Sequence, residues 1–316
     1  MKFEGIIPPI ITPFNPDRSV DEKGHAVVIE HMIDCGIHAI IVGGTTGEFY
    51  ALSKEERIRQ FAFARDVINK RVPLIVGVND ITTEGACEYA AAARDAGADG
   101  MLVAAPYYSV PTAKELASHC LAIDRSAGLP IILYNYPGRT GAEMSEEFLQ
   151  RVGQRKNFAA IKEASGDIDR LHLLAREFPQ IQLGCGADDQ ALEFFVWGAT
   201  SWVTAIGNFL PKEMVAFYDT CVHENDFVKA RALMSALLPV TTLLERGGKF
   251  VQCAKYGADY FGLPAGPVRK PLKPLNKELA RQFREALDTA KVSIKAILAE
   301  DKPKTDKGVR HVRAVN

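Results

Sequence analysis

The sequence predicts a (β/α)8 barrel followed by a C-terminal helical extension. Three observations carry this. Short apolar runs recur at intervals of roughly 25–35 residues, segments of helical periodicity lie between them, and polar side chains gather behind the same end of each run. The runs are Gly5–Thr12, His38–Gly43, Pro73–Val78, Gly100–Ala104, Pro130–Asn135, Phe158–Lys162, Ile181–Cys185 and Ser201–Ile206. Their hydrophobicity is continuous, as for parallel strands covered on both faces. An open doubly wound sheet is the alternative arrangement.

The helices between the runs have recognisable ends. Lys54–Lys70 and Thr83–Ala96 carry helix periodicity. Ser53 before Lys54-Glu55-Glu56 marks a start, as does Asp188 before Gln190-Ala191-Leu192, and Gly36 and Gly97 mark ends. After the eighth run only helical patterns remain: Lys212–His223, Asp226–Leu244, Lys249–Phe261 and Lys277–Glu300, with Pro264 to Pro274 as an irregular connection. One of these is expected to be the eighth barrel helix. The expected organisation is a barrel over 1–225, a helical extension over 226–300 and a polar, basic, disordered tail over 301–316.

Composition narrows the function. The chain has 316 residues, 47% hydrophobic and 24% charged, with a formal net charge of −1. That balance gives no reason to expect nucleic acid or a membrane as partner. No apolar run is read as a spanning helix, and the N-terminus has no signal-type segment, so a cytoplasmic location is expected. The six cysteines form no Cys-x-x-Cys pair, and the seven histidines show no metal-ligand spacing. Phosphate-cradling glycine motifs are absent as well. Neither metal nor cofactor is expected.

The chemistry centres on Lys162. Phe158-Ala159-Ala160-Ile161 lead into it, a strand delivering an amine to the end of a buried core. Burial disfavours the ammonium form. Moving a lysine from pKa ~10.4 to ~7 takes roughly 4–5 kcal/mol, and the neutral amine so produced attacks a carbonyl or imine carbon to form a Schiff base. A lysine snorkelling at a strand end is the ordinary alternative. Its company argues for chemistry. Gly43-Gly44-Thr45-Thr46-Gly47-Glu48 offers hydroxyls and backbone N–H groups suited to a carboxylate, or equally a capping turn. Tyr134 closes the fifth run with a phenol able to give and take a proton, or sits as a bonded core tyrosine. Arg139 suits bidentate binding of a carboxylate or a plain salt bridge. Tyr107-Tyr108 reads as surface aromatics or an interface anchor. Asp188-Asp189 is read as a helix N-terminal carboxylate pair and Cys185 as a packing residue.

The motifs Gly-Thr-Thr-Gly-Glu, Leu-Tyr-Asn-x-Pro-x-Arg-Thr-Gly and Ile-Lys-Glu-Ala-Ser-Gly-Asp, in this order, resemble the dihydrodipicolinate synthase/N-acetylneuraminate lyase family of Schiff-base enzymes over roughly residues 3–300. The resemblance implies Lys162 as the Schiff-base lysine and Tyr134 as the proton-transfer residue above it. Thr45 and Tyr108 complete a relay, Tyr108 being lent by a neighbouring subunit of a homotetramer or dimer. Thr45 and Thr46 hold the carboxylate beside the reacting carbon, Val203 lines that pocket, and Arg139 matches the position that holds a second carboxylate in the synthase branch. Within the family, Gly207-Asn208-Phe209-Leu210-Pro211 and Gly262–Lys273 look most like the branch that deaminates 1-pyrroline-4-hydroxy-2-carboxylate, in hydroxyproline degradation. The expected activity is that deaminase. The alternatives are 4-hydroxy-tetrahydrodipicolinate synthase, another pyruvate-dependent aldolase, and a non-catalytic carboxylate-binding barrel.

Overall fold

The structure is a computed structural model and describes residues 1–300. The expected tail at 301–316 lies outside them. Eight parallel strands form the barrel: β1 Gly5–Ile6, β2 Ile40–Val42, β3 Leu74–Gly77, β4 Gly100–Ala104, β5 Ile131–Asn135, β6 Phe158–Glu163, β7 Gln182–Cys185 and β8 Ser201–Trp202. From β2 to β8 each strand pairs with its sequence neighbour, and β8 pairs with β1. The ring closes between β1 and β2 through the Pro9–Ile41 bridge, where Ile10 N–H donates to the Ile41 carbonyl at 2.9 Å and Ile41 N–H to the Pro8 carbonyl at 3.0 Å. The first strand is shorter than the apolar run Gly5–Thr12, because Pro8 and Pro9 have no N–H to give a ladder.

Among the described residues, twelve α-helices accompany the strands. Those around the barrel are α1 Glu22–Asp34, α2 Lys54–Ile68, α3 Thr83–Asp95, α4 Ala113–Ala127, α5 Pro137–Thr140, α6 Glu146–Val152, α7 Ile168–Glu177, α8 Ala191–Val196 and α9 Pro211–Tyr218. The extension comprises α10 Phe227–Arg246, α11 Phe250–Tyr260 and α12 Lys277–Glu300. Ser53 caps α2 in a reciprocal box with Glu56, which satisfies two orphan donors. Packing of α9 beside β1 identifies it as the eighth barrel helix.

Side-chain alternation sorts the core. Ile40 and Val42 face the helices, whereas Ala39 and Ile41 belong to a second cluster inside the barrel with Ile75, Leu102, Ile132, Tyr134, Ala160 and Val203. With a period of two, Lys162 follows Ala160 onto the interior face at the carboxyl end of β6. That end is where barrels of this kind place their chemistry.

One expectation needs correcting. Helix α10 is 20 residues long with mean hydropathy 1.4, so by length and composition it is apolar enough to cross a membrane. Its apolarity has another use here, since it packs against α12 and α8.

Candidate active site

Strands β5 and β6 pair Tyr134 directly with Lys162. The Lys162 Nζ lies 4.2 Å from the centre of the Tyr134 ring. The next residues lock that register. Asn135 donates from Nδ2 to Glu163 at 2.8 Å and accepts from Met144 N–H at 2.9 Å. Glu163, also buried, accepts from Ser165 N–H at 2.7 Å and from Arg170 at 3.4 Å. The residues flanking Lys162 in the Ile-Lys-Glu-Ala-Ser motif therefore aim it. Gly186 lets it pass: a Cβ there would come within 2.7 Å of Lys162 Cγ.

One small cavity is lined by Thr45, Thr46, Tyr134, Tyr136, Arg139, Lys162, Gly186, Asp188, Val203, Glu245 and Phe250, among others. The structure thus brings together Lys162, Tyr134, Thr45, Thr46, Arg139 and Val203. Among the described residues the N–H groups of Thr45 and Thr46 have no hydrogen-bond partner, whereas Gly47 and Glu48 donate back to Gly44 and Thr45 within the same turn. Two free donors with two hydroxyls beside them make an anion nest. Arg139 projects from α5 between two rings, its guanidinium 5.3 Å from the centres of both Tyr136 and Phe250. Tyr108 is the exception. It is 96% exposed on the loop after β4 and does not line this chain's own cavity.

Burial pulls the Lys162 amine down to about 8, against the opposing charges of Asp188 and Glu245. The same burial pushes the Tyr134 phenol well above its usual range, so it stays protonated and available as a donor. Cys185 is buried with its thiol raised, as a packing residue should be.

Two acids were not read as site residues from the sequence. Asp188, expected to serve a helix N-terminus, caps nothing in α8. It is buried, takes a 2.8 Å hydrogen bond from Trp202 Nε1, and has its carboxyl raised mainly by burial. Its position on the polar rim behind β7 was the available signal. Glu245 comes from α10, far along the chain, and carried no signal. Burial first and then Asp188 raise its carboxyl to about 8.

The Gly-Thr-Thr-Gly-Glu motif has a second purpose. Glu48 is fully buried with a left-handed φ of 56°, pairs with Lys255 of α11 at 2.9 Å and accepts from Arg269 N–H at 2.9 Å. Lys255 in turn donates to the Pro267 carbonyl at 2.7 Å. The motif therefore ties the Thr45-Thr46 turn to the extension.

Comparison with known proteins agrees with this architecture. Residues 2–290 match the model of the Dihydrodipicolinate synthetase family. A 4-hydroxy-tetrahydrodipicolinate synthase of Methanoculleus marisnigri is 33% identical over 289 residues, covering 90% of this chain and 98% of that one. The solved structure of the 4-hydroxy-tetrahydrodipicolinate synthase of Methylacidiphilum fumariolicum is similar with a TM-score of 0.90 at 30% identity, over 94% of this chain and 99% of that one. A prophage protein of E. coli, belonging to the dihydrodipicolinic acid synthase family and solved in complex with pyruvate, gives a TM-score of 0.86 at 29% identity, over 92% and 99%.

Proposed function

Because the chain belongs to the dihydrodipicolinate synthetase family, we propose that it condenses pyruvate with aspartate semialdehyde through a Schiff base on Lys162. The observation that carries this is Arg139 in the same cavity as Lys162 and the Thr45-Thr46 turn, giving two points suited to an anion in one cavity with the amine. One holds the pyruvate carboxylate and the other the carboxylate of the aldehyde.

The neutral Lys162 amine adds to C2 of pyruvate, and the carbonyl oxygen leaves as water. Tyr134, protonated and in van der Waals reach of the amine, supplies and recovers protons. Loss of a C3 proton gives the enamine, which attacks the aldehyde carbon to form the C–C bond. The aldehyde oxygen takes a proton and becomes a hydroxyl. The amino group of the second substrate then attacks C2, closes the ring and expels Lys162 as its free amine. Tyr108 completes the proton relay of a neighbouring copy, so the active unit is at least a dimer.

The hydroxyproline-directed deaminase expected from residues 207–211 and 262–273 is the second reading. One observation favours it: the Glu245 carboxyl, held protonated at neutral pH, can protonate a departing hydroxyl. Relatives bearing the synthase name, and the Arg139 guanidinium in the cavity, put condensation first.

The deciding experiment assays both reactions on one preparation. Condensation should proceed, and Arg139→Ala should lose about 30-fold to several thousand-fold in kcat/KM, the cost of an ion pair removed from a desolvated carboxylate. Ammonia release from 1-pyrroline-4-hydroxy-2-carboxylate that is indifferent to Arg139→Ala, with no condensation, reverses the order of the two readings.

A further inference from the structure

Arg139, a guanidinium, and Glu245, a carboxyl, line one cavity and remain unpaired among the described residues. Arg139 makes only ring contacts, to Tyr136 and Phe250. Glu245 has neither a hydrogen bond nor an ion pair, and its oxygens are not among the buried orphan atoms. The Arg139 charge pulls the Glu245 carboxyl down, yet the two do not close on each other within ion-pair distance. Asp188, the other acid here, is already committed to Trp202 Nε1. Glu245 is therefore the acid in the cavity with its acceptors free.

A cation receptor beside an anion receptor is the complement of an α-amino acid head group. We propose that Glu245 receives the ammonium group of the aldehyde substrate while Arg139 receives its carboxylate, and that Glu245 then takes the ammonium proton so that the amine can close the ring. The inference rests on the condensation reading and adds to it the residue that selects an amino aldehyde over a plain aldehyde acid.

The step balances. One N–H proton passes to the Glu245 carboxylate, and the nitrogen lone pair so released attacks C2 of the Lys162 iminium. The new C–N bond forms at C2, one of the two protons on the ring nitrogen passes to the Lys162 nitrogen, the bond to Lys162 then breaks so that Lys162 leaves as the neutral amine, and the cyclic iminium gives up its remaining N–H proton to solvent. A carboxyl poised near neutrality suits both tasks. Burial and Asp188 keep Glu245 protonated in the empty site. An arriving ammonium favours the ionised form, so binding near pH 7 releases a proton.

The test compares aspartate semialdehyde with succinate semialdehyde, which has the same aldehyde and carboxylate without the amine. Pyruvate trapping at Lys162 by borohydride serves as the control for an intact site. Wild type should prefer the amino aldehyde by at least about 30-fold in kcat/KM. Glu245→Gln should erase most of that preference by raising KM and lowering kcat for the amino aldehyde alone, with pyruvate still trapped at Lys162. Glu245→Asp keeps the carboxylate and should retain most of the preference, which separates charge recognition from a packing role. An undiminished preference in Glu245→Gln overturns the assignment and leaves the condensation reading standing. Wild type that traps pyruvate yet condenses neither aldehyde overturns both.

Discussion

At Lys162 two effects compete. Removal from water favours the neutral amine, while the carboxyls of Asp188 and Glu245 favour the ammonium. Burial wins, and the amine settles at about 8. An amine with that value is about one-tenth neutral at pH 7 and mostly neutral by pH 9. The sign follows: the nucleophilic form is gained as pH rises, so the rate of Schiff-base formation with pyruvate should climb about tenfold from pH 7 and flatten above pH 8. Stopped-flow measurement of that half-reaction across pH 6 to 10 checks it. Lys162→Arg should be inactive by several orders of magnitude at every pH, because a guanidinium does not deprotonate in this range. A flat profile in wild type, or turnover in the arginine variant, removes Lys162 as nucleophile.

Among the elements, α10 and α11 reach back over the barrel rim. Helix α10 brings Glu245 to the cavity, and α11 brings Lys255 to Glu48. Both members of that pair are buried, so neither charge is offset by water. Breaking a buried ion pair by removing one partner costs about 3–5 kcal/mol, because the other charge is left uncompensated. Lys255 softens this, since burial already lowers its amine to about 8 and it can shed its proton. Glu48→Gln is accordingly expected near the bottom of that range, about 3 kcal/mol by urea unfolding. The Thr45-Thr46 turn lies immediately before Glu48, so KM for pyruvate should rise in the same variant. Unchanged stability would mean that the extension is held by its apolar contacts alone.

For the whole molecule, Tyr108 carries the consequence. Its side chain is 96% exposed, its φ of 72° is uncommon for an aromatic residue, and Val110 beside it is 54% exposed with φ 46°. An apolar loop tip presented away from its own cavity fits a residue that acts in another copy. Tyr108→Phe and Lys162→Ala protomers, each of low activity, should regain part of the wild-type rate when mixed, because some sites then contain both residues. Activity assay after subunit exchange, with exchange verified by mass labelling, reads this out. Absence of recovery places Tyr108 outside the relay.

The sequence by itself determined the barrel, because continuous apolar runs and helical periods are local patterns with one common solution in parallel α/β chains. It also determined most of the cavity. Lys162, Tyr134 and the Thr45-Thr46 turn each sit at the end of a strand, where local pattern fixes position and the barrel makes those ends converge. Tertiary structure alone decided the remainder. Asp188 looks like any helix-start carboxylate until Trp202 is placed against it. Glu245 looks like any polar residue on a helix until α10 folds across the rim. Glu48 and Lys255 lie more than two hundred residues apart, and nothing short of the folded chain pairs them. The division is physical: period and propensity act over a few residues and specify elements, whereas burial, and the charge shifts it produces, exists only once distant elements have excluded water together.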